Sequence, residues 1–182
     1  AIFGMVLMEL LLVVAMVSLL TAVAALNYTG VFSRSRFESR AYDLIDVIQK
    51  AQEASERTDA RYAVVFDFVD RSYTLREYKS LDLETLSDEE AIITRKYFDE
   101  SFQLDYIIFD DYEDTREFDE SALDRVIFWA GRSGWRYGGT IVLFDVDGNS
   151  YSIVVNRLGG KILLEKGEVL PIEPKRADEM VF

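Results

Sequence analysis

From Ala1 to Leu26 the chain is an almost unbroken apolar run, interrupted by the hydroxyls of Ser18 and Thr21 and by one ionisable side chain, Glu9. In helical form 26 residues extend about 39 Å, more than a hydrocarbon core of about 30 Å requires, so the run predicts a membrane-spanning helix. A secretory signal peptide is the alternative, with Val23-Ala24-Ala25 supplying small residues, but such a peptide has a basic leader and a shorter apolar core. Beyond Leu26 the period changes. Phe37, Ala41, Leu44, Ile48 and Ala51 recur at spacings of three and four, with Arg40, Asp43, Gln49, Lys50 and Glu53 between them, which is an amphipathic helix. Asn27, Thr29 and Gly30 are weak helix formers, yet no proline forces a break. The pattern predicts one long helix, loosened near Gly30 and ending near Arg57.

After Arg57 β-branched and aromatic side chains dominate. YAVVFDF (62–68) and SYTLREY (72–78) read as a hairpin, FQLDYIIF (102–109) as a strand, and RVIFW (125–129) as another. The glycine-rich GRSGWRYGG leads to TIVLFD (140–145), Asp147-Gly148 turns the chain into SYSIVVNR (150–157), and KILLE (161–165) closes the series. The acidic stretches SLDLETLSDEEA (80–91) and DDYEDTREFDES (110–121) lack a period and read as surface loops. The expected organisation is α+β. It comprises an apolar segment 1–26, its amphipathic continuation 27–57, an antiparallel β domain 58–170 and a polar, loosely held tail 171–182.

Charge and composition then exclude several classes. With 33 acidic and 20 basic residues the net charge is −13, which favours solubility of the polar part and supplies no basic stripe for phosphates, so nucleic acid is not an expected partner. The chain has no cysteine and no histidine, which removes disulfides, thiolate chemistry, the commonest general base and the commonest zinc ligand. An enzyme would rest only on paired carboxylates such as Asp110 and Asp111, so no catalytic residue, metal or cofactor is assigned. Asp145, Asp147 and Asn149 in DVDGN open like a calcium loop but lack the glutamate that closes one, which favours a plain hairpin turn. Asp110, Asp111, Glu113 and Asp114 form a second acidic cluster, more commonly solvated than metal-bound. Asn27-Tyr28-Thr29 is a glycosylation sequon beside the helix. Trp129 and Trp135 flank the glycine-rich turn as a sticky surface or as core, the latter expected of Trp129 because it ends an apolar strand.

The string GMVLMELLLVVAM resembles the prepilin signature of the type IV pilin-like family, in which a glycine precedes the cleavage point and a glutamate is the fifth mature residue. On that alignment Gly4 and Met5 form the processing site and Glu9 is the glutamate. RVIFWAGRSGWRYGGTIVLFDVDGNSYSIVVNRLGGKILL is similar to the end of GspH/FimT-type pseudopilins, and the two matches bracket nearly the whole chain. The resemblance implies the type IV pilin fold, a long N-terminal helix packed on a small antiparallel sheet. It implies a structural filament subunit, assembled with copies of itself or other pilins. The same resemblance implies inner-membrane assembly machinery and a prepilin peptidase as partners, with the subunit in the cytoplasmic membrane before assembly and in an extracytoplasmic filament, at the cell surface or in the periplasm, afterwards. Glu9 would pair with the free amine of a neighbour's Met5, since a paired buried carboxylate is penalised far less than an unpaired one. The alternative for Glu9 is a place near the membrane surface, where it reaches water. The helix-breaking proline common in major pilins is missing from residues 20 to 30, which predicts a less melted helix. The alternative functions are a minor tip pseudopilin of type II secretion and a membrane-anchored extracytoplasmic binding domain.

Overall fold

The computed structural model describes residues 2–58, 60–78, 92–111, 113–118, 124–132, 134–158 and 161–171, with the side chains of 2–5 and 24–31 excepted. The acidic stretch 80–91, all of the tail after Pro171, and the side chains of Gly4, Met5 and the sequon therefore lie outside the described residues. The chain is α+β and divides into two compact units, Ala1–Arg36 and Phe37–Phe182.

Helix α1 runs without a break from Ile2 to Arg57. Its backbone stays helical through Asn27 to Gly30, where loosening was expected, because nothing there removes a main-chain donor. In the apolar run two hydroxyls bond back to their own helix, Ser18 Oγ donating to the Val14 carbonyl at 2.8 Å and Thr21 Oγ1 to that of Val17 at 2.7 Å. That satisfies both hydroxyls without water, as an apolar environment demands.

The second unit begins at Phe37, and here the helical period becomes a buried stripe. Phe37, Ala41, Leu44, Ile48 and Ala51 are each at most 1% exposed. Ser55 continues the stripe, its hydroxyl donating to the carbonyls of Gln52 and Gly131. The strands are β1 (Arg61–Asp67), β2 (Ser72–Tyr78), β3 (Ile92–Tyr97), β4 (Gln103–Phe109), β5 (Arg125–Gly131), β6 (Gly134–Trp135), β7 (Gly139–Phe144), β8 (Ser150–Val155) and β9 (Leu163–Lys166). They form two antiparallel sheets in the orders β3-β2-β1-β5-β6 and β4-β7-β8-β9, where a single small sheet was expected. The chain leaves the first sheet at a tight turn between Asp99 and Phe102, whose main chains exchange hydrogen bonds at 3.1 Å, so β4 is free to pair with β7. Strand β3 was not foreseen. Its residues alternate between half-buried and exposed, the mark of an edge strand, and its Lys96 reaches Asp43 of α1 at 3.2 Å.

The helical stripe and the inner faces of both sheets share one core, rich in rings. Phe37 lies 5.6 Å from Phe102 and 4.3 Å from Tyr151, while Phe128 contacts Phe66, Phe109 and Trp135 at 5.8, 5.0 and 6.3 Å. The opposite face of the second sheet carries its own small cluster, Tyr106, Ile108 and Val142. Arg116 of a 3-10 turn (Thr115–Glu117) lies 3.8 Å above the Tyr106 ring. Burial and a hydrogen bond to Glu168 push the Tyr106 phenol up to about 12.

Two glycines are fixed by space and torsion. A Cβ on Gly139 would stand 2.7 Å from the Ile108 carbonyl, across the β4–β7 pair, and Gly148 takes φ +77° in the β7–β8 turn. Gly139→Ala is expected to lower stability by about 1–3 kcal/mol through overpacking, measured by urea unfolding of the full chain in detergent with tryptophan fluorescence as the probe.

Candidate functional site

Within α1 the span Val6–Val23 has a mean hydropathy of 2.6 and is long and apolar enough to cross a membrane. Its side chains are exposed on every side of the helix: Leu7, Met8, Leu10, Leu11 and Leu12 are all at least 60% exposed, and together they sweep a full turn. A helix that is apolar all round needs cover on all sides, whether from lipid or from other helices. Glu9 sits on this surface, exposed, and among the described residues it makes no hydrogen bond or ion pair. Any partner for its carboxylate therefore comes from outside the described part of the chain. The structure places Gly4 and Met5 in the same helix, one and a half turns or less before Glu9, without describing their side chains.

In the second unit the acidic clusters are bound internally. Asp110 is 3% exposed in its side chain and accepts two hydrogen bonds from Arg157, at 2.8 and 2.7 Å. Asp114 accepts from the Arg116 side chain and main chain, and Asp111 from the main-chain N–H of Glu113. The cluster is thus divided among different cations and turns. In DVDGN, Asp145 accepts from the main-chain N–H groups of Asp147 and Asn149 at 2.9 and 2.8 Å and from the Asn149 side chain at 2.8 Å, so its carboxylate organises the hairpin turn.

The core position expected of Trp129 is taken by Trp135 instead. In β5 the inward positions are Val126, Phe128 and Ala130, so Trp129 faces away from the core, half-buried, with its ring 4.7 Å from that of Tyr78. Trp135 is the core tryptophan, 4% exposed. A strand has a two-residue period, and apolarity at its end does not say which parity faces inward.

Trp129 and Trp135 line a cleft of about 770 Å³, which sequence reading did not find. Among the described residues four arginines line it, Arg61, Arg132, Arg136 and Arg157, and no carboxylate does. They come from β1, from the β5–β6 turn, from the segment after β6 and from the segment after β8, far apart in sequence. Main-chain bonds assemble them: the Trp135 N–H donates to the Arg157 carbonyl at 2.8 Å and the Arg136 N–H to that of Trp129 at 2.9 Å. Tyr137 lies between two guanidiniums, 5.3 Å from Arg136 and 5.6 Å from Arg157. Arg157 is balanced by Asp110, whereas among the described residues neither Arg61 nor Arg136 makes a salt bridge. The indole N–H of Trp135 is buried without an acceptor among the described residues.

No family model, curated protein or solved structure matches this chain.

Asp67 and Asp145 make the domain acid-sensitive. Burial pushes the Asp67 carboxyl up, but the Asp70 N–H at 2.8 Å and Arg125 at 2.9 Å outweigh it and hold the group below the usual carboxylate range. Asp145 is likewise raised by burial and lowered further by Asn149 and Asp147, with the same net direction. A carboxyl whose folded pKa is depressed binds its proton more readily when unfolded. Its stabilisation is full above the unfolded value of about 3.9 and is lost as pH falls through the folded one. The urea midpoint is expected to drop between pH 5 and pH 3, and Asp67→Asn to flatten that drop. A midpoint independent of pH across that window would contradict the assignment.

Proposed function

We propose that this chain is a structural subunit of a type IV pilus-like or pseudopilus filament, and that its fold is that of a type IV pilin. The observation that carries the reading is a single unbroken helix, Ile2–Arg57, with two contrasting halves. The first is apolar all round with one carboxylate that has no partner among the described residues, and the second is an amphipathic stripe in the core of an antiparallel β domain. Apolar burial drives association of the first halves as they leave the membrane. Glu9 accepts from the amine of a neighbouring subunit's Met5, freed by cleavage after Gly4, and the pairing fixes the axial register between subunits. Carboxylates serve this purpose because an unpaired charge in that apolar setting costs roughly 2.5–3.5 kcal/mol on insertion scales, so only the register that pairs it is favoured. The acidic β domain faces outward and keeps the polymer surface soluble. Copies of the chain or other pilins, inner-membrane assembly machinery and a prepilin peptidase are the partners of this reading.

The arginine cleft favours a second reading, in which the helix tethers a domain that binds an anionic ligand outside the membrane. The two part on Glu9. In the filament reading Glu9→Ala abolishes recovery of the chain in filaments sheared from cells, while the variant subunit stays folded in the membrane with an unchanged urea midpoint. Mass spectrometry and N-terminal sequencing of the sheared fraction report abundance and the first mature residue. Trace abundance assigns a minor tip subunit. A monomer in detergent that tolerates Glu9→Ala rules the filament out in favour of the tethered domain.

A further inference from the structure

We infer that the arginine-lined cleft docks the acidic segment Leu81–Glu90 of a second copy of this chain, an inference that rests on the filament reading. The cleft runs against the composition of the molecule. Acidic residues outnumber basic ones 33 to 20, yet among the described residues this cleft of about 770 Å³ gathers four arginines and no carboxylate. Arg61 and Arg136 have no salt bridge among the described residues. An occupant rich in carboxylates would pair both guanidiniums. The lining also holds apolar groups, among them the outward-facing Trp129 and Leu158, which is 85% exposed, beside the hydroxyl residues Ser55 and Thr58.

The segment Leu81-Asp82-Leu83-Glu84-Thr85-Leu86-Ser87-Asp88-Glu89-Glu90 supplies both kinds of group. It holds five carboxylates, three leucines and no basic residue. Its carboxylates match the guanidiniums, which bind such groups in bidentate fashion, and its leucines match Trp129 and Leu158. A small free anion would use the arginines and leave the apolar lining uncovered. Two copies that each carry a net charge of −13 repel at long range, so β domains held side by side need a contact of opposite sign at short range. Cleft against acidic segment is such a contact, and because its two halves differ it propagates head to tail, as a filament requires.

The chain has no cysteine, so introduced thiols report contacts without background. The test co-expresses full-length copies carrying Leu158→Cys with copies carrying Glu89→Cys, oxidises the membranes with copper phenanthroline, and measures disulfide-linked dimer. The expected yield is several-fold above that of a control pair, Leu158→Cys with the exposed turn position Val146→Cys. Arg61→Glu with Arg136→Glu on the first copy returns the yield to the control level, and Glu84→Lys with Asp88→Lys and Glu90→Lys on the second restores it. A yield at the control level, or one indifferent to charge reversal, overturns the inference. So does thermal stabilisation of the chain by citrate without any cross-link, which assigns the cleft to a small anion. Val13→Cys copies, oxidised in parallel, separate the two readings. If their helix disulfide forms and the cleft pair does not, the docking inference alone fails; if neither forms, the filament reading fails with it.

Discussion

An apolar helical surface without cover is the constraint on which the rest of this molecule depends. None of Val6–Val23 is buried, and leucine, valine and methionine side chains point outward in every direction. Leaving that surface in water would cost on the order of 25 cal/mol for each Å² of apolar area, far beyond the net stability of an ordinary domain over a span of this length. Lipid or other helices must cover it. The hydroxyls of Ser18 and Thr21 are already satisfied within the helix, which leaves Glu9 as the one polar group in the span whose needs are unmet by the described residues. An unmet carboxylate on an otherwise featureless cylinder is the feature that can distinguish one axial register from another.

The second half of the same helix meets the opposite condition. From Phe37 onward a narrow stripe is sealed by two sheets, and the seal is largely aromatic: Phe37, Phe66, Phe102, Phe109, Phe128 and Tyr151 form a near-continuous set of ring contacts. Large rings suit this position because each removes a great deal of area from water at little rotamer entropy. Where two backbones must approach closely, the chain substitutes absence of a side chain, as at Gly139 against Ile108. Rings in the core and glycine at the close approach together allow nine short strands to fold around one helix.

The charges are organised rather than merely abundant. Buried or half-buried carboxylates at Asp67, Asp110 and Asp145 each have a dedicated set of donors, so the acidic excess does not leave charge stranded in the interior. The cations are less evenly placed. Four of the arginines gather at one cleft, where Asp110 balances Arg157 and, among the described residues, no carboxylate lines the opening. A surface of one sign on a body of the other favours a partner of complementary charge.

The helix, its end at Arg57, its buried stripe and most of the strands could be read directly from residue order, because helical and strand periods are local properties of neighbouring side chains. Glu9 was equally visible, since a lone carboxylate in an apolar run is an anomaly within a single window. Other features depend on pairing across the chain. Trp135 rather than Trp129 enters the core because the register between β1 and β5 sets the parity of β5, and that register is not contained in RVIFW. Strand β3 was missed because an edge strand shows only half of the alternating pattern, here behind an acidic loop. The division into two sheets follows from β4 pairing with β7, thirty residues on, in preference to its neighbour β3. The cleft was the least legible of all. Arg61, Arg132, Arg136 and Arg157 belong to no motif, and Asp110 meets Arg157 across a separation of 47 residues. Charges that converge only through main-chain hydrogen bonds between distant strands leave no local period behind, so the folded chain alone brings them to one place.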